Sequence, residues 1–350
     1  MDNICISWGA QDSYAPVTAP KEREVKMSAR GKYAVQVVEK ERVINETPFQ
    51  SNFIFDWGLD QVANITWAKC FEYCRVGTVS VGSLQTSQQR NSLGQYSLQA
   101  ESAQSNVYFT GLLPAPYGFS GCGSEAVSGS GVLMRRTYDF NPEVGNQIYS
   151  EIGWSPNVNG NLFSRVIATS GGLTGVTVLE GQSIRVIYEV EVFVGPSGQY
   201  SNYPITGWNS SGTMGVQMFG LSAVNQRGVS TFFDQTSGSN EPSVGTRAFI
   251  SDSSASLSTI GSCVNRSSAN TYQADASIFA YTAGTRNRRK RFFIPASSGV
   301  FDGYRSVGIG LSGGNAAQYN SFVHIFDSPV NKELDYILNL NFYYSWGRLT

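Results

Sequence analysis

The sequence predicts an all-β fold: one or two antiparallel β-sandwich or jelly-roll-like units, with an extended N-terminal arm and one short helix. Three observations predict it. Apolar and polar residues alternate with period two in several stretches, most cleanly over residues 184–194. Charged residues make up only 15% of the 350, against about 25% in an average soluble chain. Their place is taken by Ser, Asn, Gln and Thr, with 37 glycines, a balance suited to uncharged strand faces and glycine-rich turns. Stretches with helical spacing are nearly absent.

Residues 1–31 mix Pro, Ser, Ala and charges without periodicity and read as an extended arm. Within it, Ile4, Ile6 and Trp8 alternate with Cys5 and Ser7, which would place three apolar side chains on one face of an added strand. Strand signals begin at residues 33–38. Over residues 56–63, Asp56 is placed to cap a helix with Leu59, Val62 and Ala63 on one face. Residues 67–77 return to an extended pattern. Pro114, Pro116 and the glycines after them mark residues 112–131 as loop or as strand broken by turns. Strands are expected at 132–140, 147–154, 163–168, 175–179 and 184–194. In the last, Ile184, Val186, Tyr188, Val190 and Val192 face one way, while Arg185, Glu189 and Glu191 face the other and are expected to meet solvent. Residues 196–285 suggest short strands and long loops.

Four elements of the last third echo the middle at an offset near 155 residues: 135–140 and 290–294, 149–153 and 304–308, 163–167 and 322–326, 184–194 and 336–346. The organisation expected is therefore an arm and first strand over 1–45, a β-sandwich-like domain over 46–200, and a second β-rich unit over 201–350 as a divergent repeat.

Chemistry is sparse. The net charge of −1 argues against tracking a nucleic-acid backbone, and the absence of a long apolar run argues against membrane insertion. The five cysteines, Cys5, Cys70, Cys74, Cys122 and Cys263, are odd in number and scattered, which disfavours a disulfide framework or a zinc site. The single histidine, His324, sits in an alternating apolar strand. No nucleophile elbow, zinc-protease motif or phosphate loop is present. Only a carboxylate pair drawn from Asp139, Glu143, Glu151, Glu189 and Glu191 would offer a catalytic device, of the glycosidase kind. The reading is non-enzymatic, with no catalytic residues, cofactor or metal. Two surface features stand out. Arg286, Arg288, Arg289, Lys290 and Arg291 form a candidate electrostatic docking patch. Tyr200, Tyr203 and Trp208, in a Gly/Ser/Asn-rich stretch, are candidate surface aromatics.

The phrase Asn52-Phe53-Ile54-Phe55-Asp56-Trp57-Gly58-Leu59-Asp60, followed by Cys74-Arg75-Val76-Gly77-Thr78-Val79-Ser80, resembles a pattern recurring in tailed-bacteriophage virion structural proteins, including tail-associated and tail-fibre-like ones. Tyr138-Asp139-Phe140, Glu151-Ile152-Gly153-Trp154, Leu162-Phe163-Ser164-Arg165 and residues 181–188 are similar to its continuation. Val79 departs from it, standing where that family often has Gly. The resemblance, covering about residues 50–195, implies a virion component made in the host bacterial cytoplasm, with copies of itself and other virion proteins as partners. It carries over no catalytic residue. The alternative is a host receptor-binding fibre or spike that recognises a cell-surface glycan, with or without glycan-cleaving activity.

Overall fold

The structure is a computed structural model that describes residues 4–9, 25–65, 67–79, 97–106, 108–109, 124–127, 131–194, 202–206, 211–216, 248–251, 271–278, 282–294, 301–309, 322–332 and 337–349. It is all-β, with antiparallel pairing in every sheet but for one parallel contact.

Val25–Glu39 is the first long strand. Its last seven arm residues, 25–31, therefore belong to the folded body, which corrects the arm boundary read from sequence. The alternation there is real but hidden, because the inward positions are small: Ala29 is fully buried and Gly31 follows. Gly31 is small for a reason. A Cβ at that position would lie 2.8 Å from the Tyr188 hydroxyl that crosses over it.

The pairing of strands runs round almost into a ring. Ser183–Val194 pairs along its whole length with residues 27–38 on one edge and with Gly131–Asp139 on the other. Gln50–Ile54 pairs with Gly31–Tyr33 through its first three residues and with Ser164 and Arg165 through its last two, so it turns a corner between sheets. Ser164–Ile167, Glu151–Ser155, Tyr73–Gly77 and Glu101–Ser105 then lie side by side. Tyr108–Phe109 pairs back onto Gly131–Asp139, and the Ser105 hydroxyl donates to the Asp139 carbonyl at 2.7 Å. The result is a nearly closed, barrel-like sheet, a shape that leaves few free edges.

Its interior is filled by large rings. Trp154, Tyr188, Tyr33, Phe71, Phe163, Trp67 and Tyr138 are all at most 1% exposed. Burying rings of this size supplies the largest apolar contribution that single residues can make. Two short helices lie between Gln50–Ile54 and Tyr73–Gly77. Asp56–Gln61 is shorter than the 56–63 expected, and its N-cap is Phe55, with no side-chain cap. Gly58 packs on Phe163, where a Cβ would lie 2.3 Å from the carbonyl oxygen. Trp67–Cys70, expected to be extended, is a helical turn. Trp67, Ala68, Cys70 and Phe71 are all buried around the exposed Lys69, and a run this short has no period to separate helix from strand. Arg136 holds this turn, donating to the carbonyls of Ala68 at 2.8 Å and Phe71 at 3.0 Å.

The remaining strands are connected in a comparable order. Ile337–Arg348 pairs with Asn287–Ile294, and Thr271–Ile278 pairs with that strand through its last four residues and with Ala248–Ser251 through its first four. Ala248–Ser251 pairs with Phe301–Ile309, which pairs with Phe322–Lys332, then Ser211–Val216, then Asn202–Thr206.

Candidate functional site

The arm residues singled out by sequence lie on a strand edge. Ile4–Gly9 runs antiparallel to Ile337–Phe342 of the same chain, with Ile4 opposite Phe342, Ile6 opposite Leu340 and Trp8 opposite Leu338. Directly opposed residues of an antiparallel pair share a face, so three apolar positions of the arm meet three apolar positions of the edge. The same edge continues as the parallel partner of residues 25–29, Val25 standing opposite Tyr344. Sequence reasoning identified the donor and missed the acceptor. The signal was present, since Leu338, Leu340 and Phe342 alternate with Asn339 and Asn341 as Ile4, Ile6 and Trp8 alternate with Cys5 and Ser7.

The basic run does not sit on one loop. Asn287–Ile294 is a strand, which places Arg288 and Lys290 on one face and Arg289 and Arg291 on the other. Arg286 stands just before it with φ of +51° and donates to the Asp56 carboxylate at 2.9 Å. Asp56 also accepts from Arg348 at 2.9 Å, so the helix Asp56–Gln61 is tied to the C-terminal strand. Tyr203 lies in Asn202–Thr206 opposite Met214, its side chain outside the described residues, as are Tyr200 and Trp208 altogether. His324 stands opposite Val307 and Met214 at a central strand position.

The carboxylates expected on a wet face are covered instead. Glu189 and Glu191 are each 4% exposed, and Glu151 is fully buried. Each is engaged by cations: Glu189 by Arg135, Glu191 by Arg30 and by Lys32 at 2.7 Å, Glu151 by Arg165 at 2.6 Å. Asp139 pairs with Arg185 at 2.5 Å, and Glu143 accepts from the Tyr149 hydroxyl. The face of Glu151–Ser155 that carries Gly153 is covered, with Leu98 and Leu162 over it. Alternation shows which residues share a face and says nothing of what covers that face, which is why sequence misjudged it.

Cys70 and Cys74 are free and buried, and burial pushes both thiols up from their ordinary range. Among the described residues, no group of three or more His, Cys, Asp or Glu is placed to hold a metal, and no helix is long and apolar enough to cross a membrane. The described apolar side chains that remain exposed include Val43 and Ile44, on a hairpin strand, Arg42–Glu46, whose five residues are all exposed.

No family model matches the chain, and no curated protein or solved structure matches it either.

Proposed function

We propose that this chain is a structural component of a tailed-phage virion, in the tail, tail tip, collar or capsid surface, and that it works by protein–protein assembly. The observation that carries the reading is the N-terminal strand: residues 4–9 add to an edge of their own chain 330 positions away in sequence, Trp8 opposite Leu338, through main-chain pairing that does not depend on which copy supplies the strand. Strand addition of this kind is a general means of joining chains. Two further observations support it. Charge is depleted to 15%, as suits surface that is desolvated against neighbours. The buried carboxylates are neutralised by fixed cations, an arrangement that holds a scaffold in place. The phrases within residues 50–195 quoted above supply the phage assignment.

The test is a density map, with mass spectrometry, of particles purified from the bacterium that carries the gene. Many copies at one symmetric position are expected. Its presence in the lysate and absence from purified particles would overturn the reading, and a position confined to fibre tips would favour the host-binding alternative.

A further inference from the structure

Two sets of strands are paired by the same rule. Asp139 pairs with Arg185, and the residues 154 further on, Phe293 and Asn339, pair with each other. Arg135 with Glu189 and Arg289 with Tyr343 repeat this at the same shift. The neighbours follow suit. Glu101–Ser105 pairs with Tyr73–Gly77 and Tyr108–Phe109 with Gly131–Asp139, and Thr271–Ile278 crosses from Ala248–Ser251 to Asn287–Ile294. The order then continues through 151–155, 164–167 and 50–54 in one set, and through 301–309, 322–332 and 211–216 in the other.

The sets differ at the far edge of their last long strand. In the first, residues 183–188 take residues 38–33 as antiparallel partner, from the long strand Val25–Glu39. Shifted by 154, that edge is Ile337–Phe342, and its antiparallel partner is Gly9–Ile4. The strand of the second half that precedes Ser211–Val216 is Asn202–Thr206, and among the described residues it pairs only with Ser211–Val216. Among the described residues, no segment of the second half stands at this position, and the N-terminus occupies it.

We propose that the second half is an incomplete copy of the first, that the Ile337–Phe342 edge is its strand-accepting site, and that in the assembly residues 4–9 of a neighbouring copy fill that site. This rests on the assembly role proposed above. The tether permits the exchange. Gly9 and Val25 stand opposite Ile337 and Tyr344 on one edge, a separation of about 23 Å at ~3.3 Å per residue. The chain from residue 9 to residue 25 can span roughly 55 Å when extended. The slack of about 30 Å lets the same strand reach its own edge or the edge of a closely placed copy, as in other strand-swapped assemblies.

The register supplies the test, because native Cys5 stands opposite Asn341. One full-length chain keeps Cys5 and Asn341; a second carries Cys5→Ser and Asn341→Cys; both carry Cys122→Ser and Cys263→Ser. The two are mixed at rising concentration and oxidised. A covalent heterodimer, reversed by reductant and enriched in the assembled fraction, is the expected result, since within either chain alone no 5–341 bond can form. A single chain holding both Cys5 and Asn341→Cys reports the closed form as a fast-migrating monomer. If that monomer is the sole product at every concentration and the mixture gives no heterodimer, exchange is overturned. If no cross-link forms in either experiment, the edge assignment itself falls. Neither result touches the chain's presence in particles, which is measured separately.

Discussion

The indole of Trp154 lies flat on the phenol of Tyr188, ring centroids 4.0 Å apart and planes at 16°. Phe71 meets the same phenol edge-on at 5.5 Å, and Tyr33 tilts against the indole at 6.2 Å. This stack joins Glu151–Ser155 to Ser183–Val194 across the barrel interior. Trp154→Ala is expected to cost about 3–5 kcal/mol, because it opens a cavity that packed neighbours cannot fill. Trp154→Phe should cost much less, since the indole N–H is buried with no acceptor. Urea midpoints of the two variants check this. Equal losses would mean that ring size is not what the site needs.

Gly31 and the Tyr188 hydroxyl compete for one space. Gly31→Ala puts a methyl 2.8 Å from the Tyr188 oxygen, a distance no relaxed contact has. The expected loss is about 1–3 kcal/mol. Tyr188→Phe removes the oxygen and its 3.0 Å hydrogen bond with Ser164, for about 1 kcal/mol alone. The double variant should be more stable than the two losses added together predict. A double-mutant cycle read by thermal unfolding measures that coupling, and strict additivity would contradict the contact.

Much of the barrel is legible in the sequence because its strands alternate apolar and polar residues, even where ion pairs cover the polar face. Residues 184–192 alternate, and Ser183–Val194 is where the strand forms. The rest escapes for local reasons. Ala29 and Gly31 hide the inward face at residues 29–31, where Tyr188 of another strand fills the space over Gly31. Residues 67–70 hide a helical turn, because four residues with one exposed position, Lys69, are too few to show a helical period. At the candidate site, the alternation of Ile4, Ile6 and Trp8 marks a strand but cannot name its partner, since residues 337–342 alternate in the same way as several other strands and the pattern selects none of them.

Glu151 and Arg165 form an ion pair out of contact with water. Arg165 donates to one carboxylate oxygen through Nε at 2.9 Å and Nη2 at 2.6 Å, while the other oxygen accepts the Ala100 amide at 2.9 Å. Removing one partner strands a buried charge, so Arg165→Met is expected to cost about 3–5 kcal/mol. Arg165→Met with Glu151→Leu should recover part of that loss. Denaturant unfolding of the single and double variants checks it, and a double variant worse than the single would show that the Ala100 contact dominates.

Stability should fall in alkaline solution before any disulfide chemistry intervenes. Burial raises the thiols of Cys70 and Cys74 and the phenols of Tyr138 and Tyr188. The folded chain therefore keeps protons that the unfolded chain releases above about pH 8.5 for thiols and about pH 10 for phenols. Stability from these groups is fully present below those values and is lost as pH rises. Unfolding midpoints between pH 7 and pH 10.5 should decline, and Cys70→Ala with Cys74→Ala should flatten the first part of the decline. In the native state at pH 8, neither thiol should react with iodoacetamide, and denaturant should expose both.

The C-terminal strand closes over the first helix, and Trp346 is its anchor. The indole is 3% exposed, and its N–H donates to the Leu59 carbonyl at 2.6 Å. Arg348 sits over the Phe53 ring at 3.9 Å and donates to the Ile54 carbonyl at 2.8 Å. The helix Asp56–Gln61 is six residues long, too short to persist unless packing holds it. Its stability should therefore depend on residues nearly 290 positions away, Leu59 and Trp346 being one such pair. Trp346→Ala is expected to cost about 3 kcal/mol or more. Trp346→Phe keeps most of the packing and should cost about 1 kcal/mol for the lost hydrogen bond. Arg348→Ala should cost less still, because its ion pair with Asp56 is partly solvated. Amide hydrogen exchange separates local from global effects. In Trp346→Ala, protection should fall first at residues 58–63, while the central amides of Ser183–Val194 stay protected. Uniform loss across the barrel would mean that the C-terminal strand stabilises the whole sheet and has no particular hold on the helix.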